Sequence, residues 1–508
     1  MTAKKIVSLS ELGKHARQYQ QQGKKVVLCH GVFDLLHPGH MRHLQKAREL
    51  GDVLFVTLTT DEHVNKGPGR PVFTGQLRAE SLAALACVDH VAINGTPTAV
   101  PVIHTVQPDI YVKGQDYKVV EEDLSGNIST EQEAVEAHGG RLCYTEEIQF
   151  SSSGIINDQF DVFSPVTKEF LRQFKEAHQA ETIIKSLQNL RGLRVLVLGE
   201  AIVDEYCYVN PMGMVGKGVN VIACRYGSTE LFAGGSLAVA NHLAGFVDQI
   251  TLLTGLGPHD PHEPFIRSKL AKNIEPVFHY FESASTLVKR RYVDENMNKL
   301  FELYFGDEQP LTEKVESAIC RWLAEHAARF DLVIVPDYGN GLISPRIVEA
   351  LATHARYLAV NTQVNGGNRG YHVVTRYPRA DFAAVNEPEL RLAAHDRFGS
   401  LESLARHINK QIQSKFFAVT RGSEGALLLD STHDFLHKIP ALSTRVVDRV
   451  GAGDSFLAFA SLALSGGLDP QLALFLGSVA AALDVQIVCN REPIEPVPLF
   501  KYITTLLK

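Results

Sequence analysis

The stretch GVFDLLHPGHMRHL, residues 31–44, closes the apolar run KKVVLCHG (24–31) and turns through Pro38 and Gly39 into a polar, helix-like sequence. Similar runs follow at once: DVLFVTLTT (52–60), QLRAESLAALACV (76–88) and HVAING (90–95). Short apolar runs alternating with helix-length segments predict a parallel sheet covered by helices. Ligands of such sheets gather beyond the carboxyl ends of the strands, and the first strand ends beside Gly31. The HPGH segment, His37 to His40, therefore stands where a ligand is expected.

The alternation resumes downstream with RVLVLGEAIVD (194–204), AGGSLAVANHLAGF (233–246), DLVIVPDYGNG (331–341), FFAVTRGSEGALLLD (416–430) and VGAGDSFLAFASLALSGG (450–467). Between the two regions lies charged, helical sequence with glycine only at its end. This divides the chain into an α/β domain over 1–157, a helical connector over 158–191 and a larger α/β domain over 192–508. No tandem repeat or low-complexity tract is present, which disfavours a solenoid.

Composition narrows the classes of function. Of 508 residues, 45% are apolar and 21% charged, as in ordinary globular proteins. A formal net charge of -7 argues against binding nucleic acid through bulk electrostatics. The seven cysteines, Cys29, Cys87, Cys143, Cys207, Cys224, Cys320 and Cys489, form no CxxC pair, which fits a reducing, cytoplasmic setting. The polar start of the sequence, and the lack of any run of about 18 apolar residues, argue against secretion and membrane spanning.

Two motifs carry chemistry. His37 and His40 are one turn apart at a helix start, where unpaired N–H groups and the helix dipole attract anions. Two imidazoles there can reach one phosphate and stabilise charge that grows during phosphoryl or nucleotidyl transfer. The residues alone also fit a plain surface loop or an adventitious metal pair. In the second motif, Gly451, Ala452 and Gly453 form a turn able to close around an anion. Asp454, at the helix mouth, can take the proton of an attacking sugar hydroxyl. A tight turn with an aspartate cap is the alternative.

The wider neighbourhoods carry two resemblances. GVFDLLHPGH, together with GRPVFTGQLRAESLAALACVDHV, PDIYVKGQDY and FSSSGIIN, resembles the cytidylyltransferase-like nucleotidyltransferases over most of residues 24–157. VLGEAIVDEY, AGGSLAVANHLA, VPDYGNG, NEPE (386–389), VTRGSEGALL and GAGD resemble the ribokinase-like, or PfkB, sugar kinases over roughly 192–500. The pair is similar to the bifunctional heptose-phosphate kinase/adenylyltransferases that make ADP-heptose for the lipopolysaccharide core, with the domain order reversed. The fold implied is a Rossmann-like nucleotidyltransferase domain followed by a ribokinase-like α/β domain.

The first resemblance implies His37 and His40 at the nucleotide α-phosphate and Asp34 near the acceptor. It further implies Gly31, Phe33, Lys66, Arg78, Lys113, Ser151, Ser152 and Ser153 around the nucleotide. The second implies Asp454 as general base, with Gly451, Ala452 and Gly453 as the anion hole. Thr420, Gly422 and Asn490 fall beside ATP, with Asp448 a further nucleotide contact, and Asp204, Gly234, Gly235 and Asn241 beside the sugar. Asn386 and Glu389 organise Mg2+ through water. For Asp337 a turn-forming and a functional carboxylate are both open.

The chain also departs from its relatives. Cys29-His30-Gly31-Val32-Phe33-Asp34 stands where Thr-Asn-Gly-Cys-Phe-Asp is common, and Gln115 replaces a frequent glycine. Asn361-Thr362-Gln363, followed by VNGGNRGYH, stands where heptose kinases usually show Asp-Pro-Lys. ATP and Mg2+ are the implied cofactors, with CTP an alternative for the transferase. The implied reactions are phosphorylation of a sugar or sugar phosphate, heptose 7-phosphate first, and coupling of the 1-phosphate to a nucleotide with release of pyrophosphate. The alternative is a CTP-dependent cytidylyltransferase for a polyol or sugar phosphate, with the kinase-like half as a regulatory or scaffold module. Relatives of both halves often associate, which implies a homodimer.

Overall fold

The computed structural model describes residues 4–64, 67, 69–114, 127–145, 162–214, 221–258, 262–282, 284–306 and 310–508. It forms two compact units, 1–164 with 500–508, and 165–499. The last residues of the chain thus group with the first unit, a return that no sequence pattern signals.

In the first unit, α1 (Leu9–Gln21) leads into β1 (Val26–Gly31), α2 (Pro38–Glu49), β2 (Val53–Thr59), α3 (Gly75–Ala83), β3 (His90–Asn94), α4 (Val100–Val106), β4 (Ile110–Gly114), α5 (Asn127–Glu136) and β5 (Arg141–Thr145). The strands form one parallel sheet in the order β3-β2-β1-β4-β5. Every residue of β2 is buried, as expected of a strand covered on both faces. The chain leaves β1 toward β2 on one side, while β4 lies on the other. The switch point of the sheet is therefore the crevice between β1 and β4, and α2 starts there.

The second unit contains α6 (Pro165–Ala177), α7 (Ala180–Gln188), β6 (Arg194–Leu198), β7 (Ala201–Met214), β8 (Ile222–Gly235), α8 (Ser236–Ala244), β9 (Gln249–Leu256), α9 (Glu263–Lys269), β10 (Ile274–Tyr280), β11 (Leu287–Val293) and β12 (Lys299–Phe305). It continues with α10 (Glu313–His326), β13 (Leu332–Asp337), α11 (Pro345–His354), β14 (Leu358–Thr362), β15 (Phe382–Asn386), α12 (Glu387–Ala394), α13 (Leu401–Ile412), β16 (Phe416–Thr420), β17 (Ala426–Asp430), β18 (Phe435–Ile439), α14 (Ala452–Ser465) and α15 (Pro470–Asp484). A final helix, α16, spans Pro496–Leu506.

Its main sheet runs β10-β9-β6-β13-β14-β15-β16-β17-β18, parallel as far as β16 and antiparallel beyond. A separate four-stranded sheet runs β12-β11-β7-β8. Register aligns Asp337 with Thr362 and Asn386 with Thr420, so the carboxyl ends of four central strands share one edge. Residues 455–464 of α14 are all buried, which fixes that helix against the sheet and holds its first turn at the edge. Among the described residues, no helix is long and apolar enough to cross a membrane.

Candidate active sites

In the first unit, β1 ends in Gly31, and Phe33 takes a left-handed backbone with φ 49°. A side chain at 31 would sit 3.1 Å from the Phe33 ring, so glycine lets the chain fold back over itself. The turn delivers His37 as the cap of α2, where its Nδ1 accepts the Gly39 amide at 3.1 Å and Pro38 occupies the first helical position. Accepting through Nδ1 leaves the ring proton on Nε2. His40 stacks on His37 with centroids 4.0 Å apart, and its Nδ1 lies 3.1 Å from the Leu35 carbonyl. Since a carbonyl only accepts, His40 Nδ1 donates, and its Nε2 becomes a donor when the ring is cationic. A phosphate at this helix mouth favours that charge.

Asp34 and Arg78 are less open than the sequence suggests. The Asp34 carboxylate accepts the amides of Val72 (2.8 and 2.9 Å) and Phe73 (3.1 Å). Arg78 is fully buried and donates to the carbonyls of Phe73, Val32 and Thr59 at 3.0, 2.5 and 2.8 Å, and to Asp61 at 2.6 Å. It clamps the loops that shape the crevice.

Lys113, at the end of β4, is buried and pairs with Glu131 at 2.8 Å. Burial and the Lys113 charge push the His30 imidazole down to about 3 and His43 down to about 4, so both stay neutral. His30 meets Thr57 at 2.9 Å, and His43 meets Thr145 at 2.7 Å. Lys66, Ser151, Ser152 and Ser153 lie outside the described residues.

In the second unit, Gly451 has φ 102° and caps α14. Any side chain there would collide with Asn490 Oδ1 and approach Asp484 Oδ2 to 2.6 Å. Gly453, by contrast, faces open space. Asp454 sits half-buried in the first turn and accepts the Tyr338 hydroxyl at 2.7 Å. Burial pushes its carboxyl up to about 7. The Tyr338 bond pulls the other way, and Asp204 and Lys289 act through their charges.

Tyr338 is itself gripped through its amide by Glu200 (3.2 Å), a buried carboxyl pushed up to about 7 by desolvation and by Asp337. Asp204 pairs with Arg291 of β11 and lies so close to Gly234 that a side chain at 234 would overlap it. Gly235 has φ 62°, and a side chain there would come within 2.5 Å of the Glu200 carbonyl.

Several expected contacts are committed elsewhere. Asn241 donates to Lys269 O (3.0 Å) and accepts from Ala271 N (3.1 Å), bracing α8 against the end of α9. Asp337 is buried and holds Arg376 and Tyr377, each at 2.8 Å, with His372 at 3.1 Å; it is a packing hub as well as a turn former. Asp448 accepts from Tyr206 (2.6 Å), Lys299 (3.0 Å) and the Arg449 amide (2.7 Å), anchoring the loop before Gly451. Asn386 and Glu389 form a reciprocal capping box at α12. Asn386, Thr420 and Gly422 line one open cleft of about 950 Å³.

Comparison with known proteins agrees with this layout. Residues 194–495, more than half of the chain, match the pfkB family carbohydrate kinases. The chain belongs to that family. Residues 28–158 match the cytidylyltransferase-like family, ahead of the kinase region in the chain. The bifunctional protein HldE of Citrifermentans bemidjiense is 47% identical over 148 residues, 29% of this chain and 28% of that protein. HldE of Syntrophotalea carbinolica is 45% identical over 128 residues, 24% of each chain. This chain therefore spans under a third of the length of these relatives. Phosphofructokinase-2 of Escherichia coli, solved in complex with potassium, matches with TM-score 0.50 at 17% identity, over 62% of this chain and 100% of that one, a likeness of fold.

Within this pfkB site, sequence reasoning missed Tyr338, Glu200, Lys289 and Arg291. Tyr338 stood inside the quoted PDYGNG run but drew no attention, because a phenol beside a carboxylate becomes visible only once β13 and α14 meet.

Two substitutions test the geometry. Arg78→Ala leaves three carbonyls without their donor and the part-exposed Asp61 without its cation, and should lower the stability of the first unit by about 1–3 kcal/mol, read from denaturant unfolding. Gly234→Ala should push Asp204 off Arg291 and lower the stability of the second unit, read from its unfolding midpoint.

Proposed function

We propose that the chain carries out two successive phosphate transfers toward a nucleotide sugar. The second unit phosphorylates a sugar or sugar phosphate from ATP, with heptose 7-phosphate the favoured substrate. The first couples the sugar 1-phosphate to a nucleotide, ADP-heptose being the favoured product, and releases pyrophosphate. The observation that carries this reading is the hydrogen-bonded Tyr338–Asp454 pair at the mouth of α14, matched in the other unit by the stacked His37 and His40 at the mouth of α2.

In the kinase unit, Asp454 accepts the proton of the attacking hydroxyl. A carboxyl poised near 7 is matched to that task at physiological pH. The amides of Gly451, Ala452 and Gly453 face the charge that grows on the transferred phosphoryl group. Glu389 already accepts the amides of Val364 (3.1 Å) and Asn386 (2.8 Å), leaving each oxygen one lone pair. Among the described residues, no group of three or more His, Cys, Asp or Glu could enclose a metal. Such half-committed oxygens suit Mg2+ held through water, which would bridge and neutralise the ATP phosphates.

In the transferase unit, His37 donates through Nε2, and His40 does so when cationic. Together they hold the α-phosphate in line with the acceptor without a covalent intermediate. Imidazoles that meet only phosphate do not choose the base, so product mass with ATP or CTP decides it. A cytoplasmic enzyme acting on small phosphorylated sugars is the setting this chemistry fits.

Two experiments test the reading. With magnesium, ATP or CTP, and a panel of heptose and polyol phosphates, Asp454→Asn should abolish phosphorylation while sparing pyrophosphate release, and His40→Ala the reverse. Phosphorylation that survives Asp454→Asn refutes the kinase assignment. The base form of Asp454 predominates above its elevated pKa, so kinase kcat/KM should fall as pH drops below about 7. Tyr338→Phe removes a bond to the charged form, so the acid limb should move up by roughly one pH unit.

A further inference from the structure

We propose that Arg369 is the phosphate-facing cation of the nucleotide cleft, supplying the charge that Asn361, Thr362 and Gln363 leave out. The inference rests on the kinase reading above and concerns the segment that follows Asn361-Thr362-Gln363.

That segment is a built turn. Asn365 Oδ1 accepts the amides of Gly367 (2.8 Å) and Asn368 (2.9 Å), and Asn368 Oδ1 accepts the Asn365 amide (2.8 Å). Both side-chain amides then donate to the carbonyl of Tyr338, at 3.2 and 3.0 Å. The approach is close enough that a side chain at Gly339, already at φ 69°, would strike Asn368 and His372. The residue whose hydroxyl holds the general base is therefore held from behind by the turn that carries Arg369. The start of the same turn reaches the other side of the site, where the Val364 amide donates to Glu389.

From this platform Arg369 reaches the cleft shared by Asn386, Thr420 and Gly422. Of the described residues lining it, Arg369 alone comes from outside the 386–422 stretch. Of the arginines native to that stretch, Arg391 and Arg421 pair with Glu387 at 2.8 and 3.1 Å, and Arg397 lies over the Phe398 ring. Arg369 is exposed and makes no ion pair among the described residues. A guanidinium keeps its positive charge at any working pH, and that charge is what an ATP phosphate requires here.

The test uses the full chain and magnesium ATP. Hydrogen-exchange mass spectrometry of peptides covering 386–397 and 420–425, across a titration of ATP, reports occupancy of this cleft separately from the other unit. Arg369→Ala should raise the ATP concentration for half-protection by about tenfold or more, and Arg369→Lys should recover to within about threefold, with the melting temperature unchanged in both. Equal midpoints for the unaltered chain and Arg369→Ala overturn the proposal. So does an Arg369→Lys as weak as Arg369→Ala, or a fall in melting temperature that accounts for the loss. If the unaltered chain shows no protection here, the nucleotide cleft itself is misassigned, and both readings fall together.

Discussion

The hydrogen bond from Tyr338 to Asp454 is the contact through which the second unit becomes a site. Burial pushes the carboxyl up to about 7, and the hydrogen bond from the phenol pulls it the other way. The phenol can act only because its own backbone is held at three points. Glu200 takes the amide, and Asn365 and Asn368 donate to the carbonyl. Those holds come from the end of β6 and the turn after β14, elements far apart in the chain that a parallel sheet brings to one edge.

The first unit reaches a similar end by other means. At the mouth of α2 stand two stacked imidazoles, His37 with its Nδ1 on the Gly39 amide and His40 with its Nδ1 on the Leu35 carbonyl. Those two contacts and their own stacking hold the imidazoles, while elsewhere in the same loops Arg78 holds three carbonyls and Asp34 holds two amides. Both units thus hold their loops with buried ionic groups bonded to backbone amides and carbonyls. The match to pfkB carbohydrate kinases and to cytidylyltransferase-like proteins joins these two solutions in one chain.

Much of this was legible in residue order. Apolar runs of strand length announced both parallel sheets, and the glycines at 31, 234, 235 and 451 marked places where backbone and side chain crowd. Charge was harder to place. Arg78, Asn241 and Asp448 look like ligands because they are polar residues within recognisable motifs, yet each is spent on backbone or side-chain partners that only folding supplies. The reverse holds for NGGNRGYH, which stands out in the sequence only as a departure from relatives but folds into a turn whose Asn365 and Asn368 hold the Tyr338 carbonyl. Sequence spacing reveals which residues share an element; it does not reveal which polar atoms remain available once elements pack.

The most direct test is the ionisation of Asp454 itself, followed by infrared difference spectroscopy of its carboxyl against Asp454→Asn in the full chain without substrate. The account predicts a protonation midpoint at about 7. A midpoint in the ordinary carboxylate range, roughly 3.9, would contradict it, because the carboxyl would then be neither desolvated nor poised to accept a proton from a sugar hydroxyl.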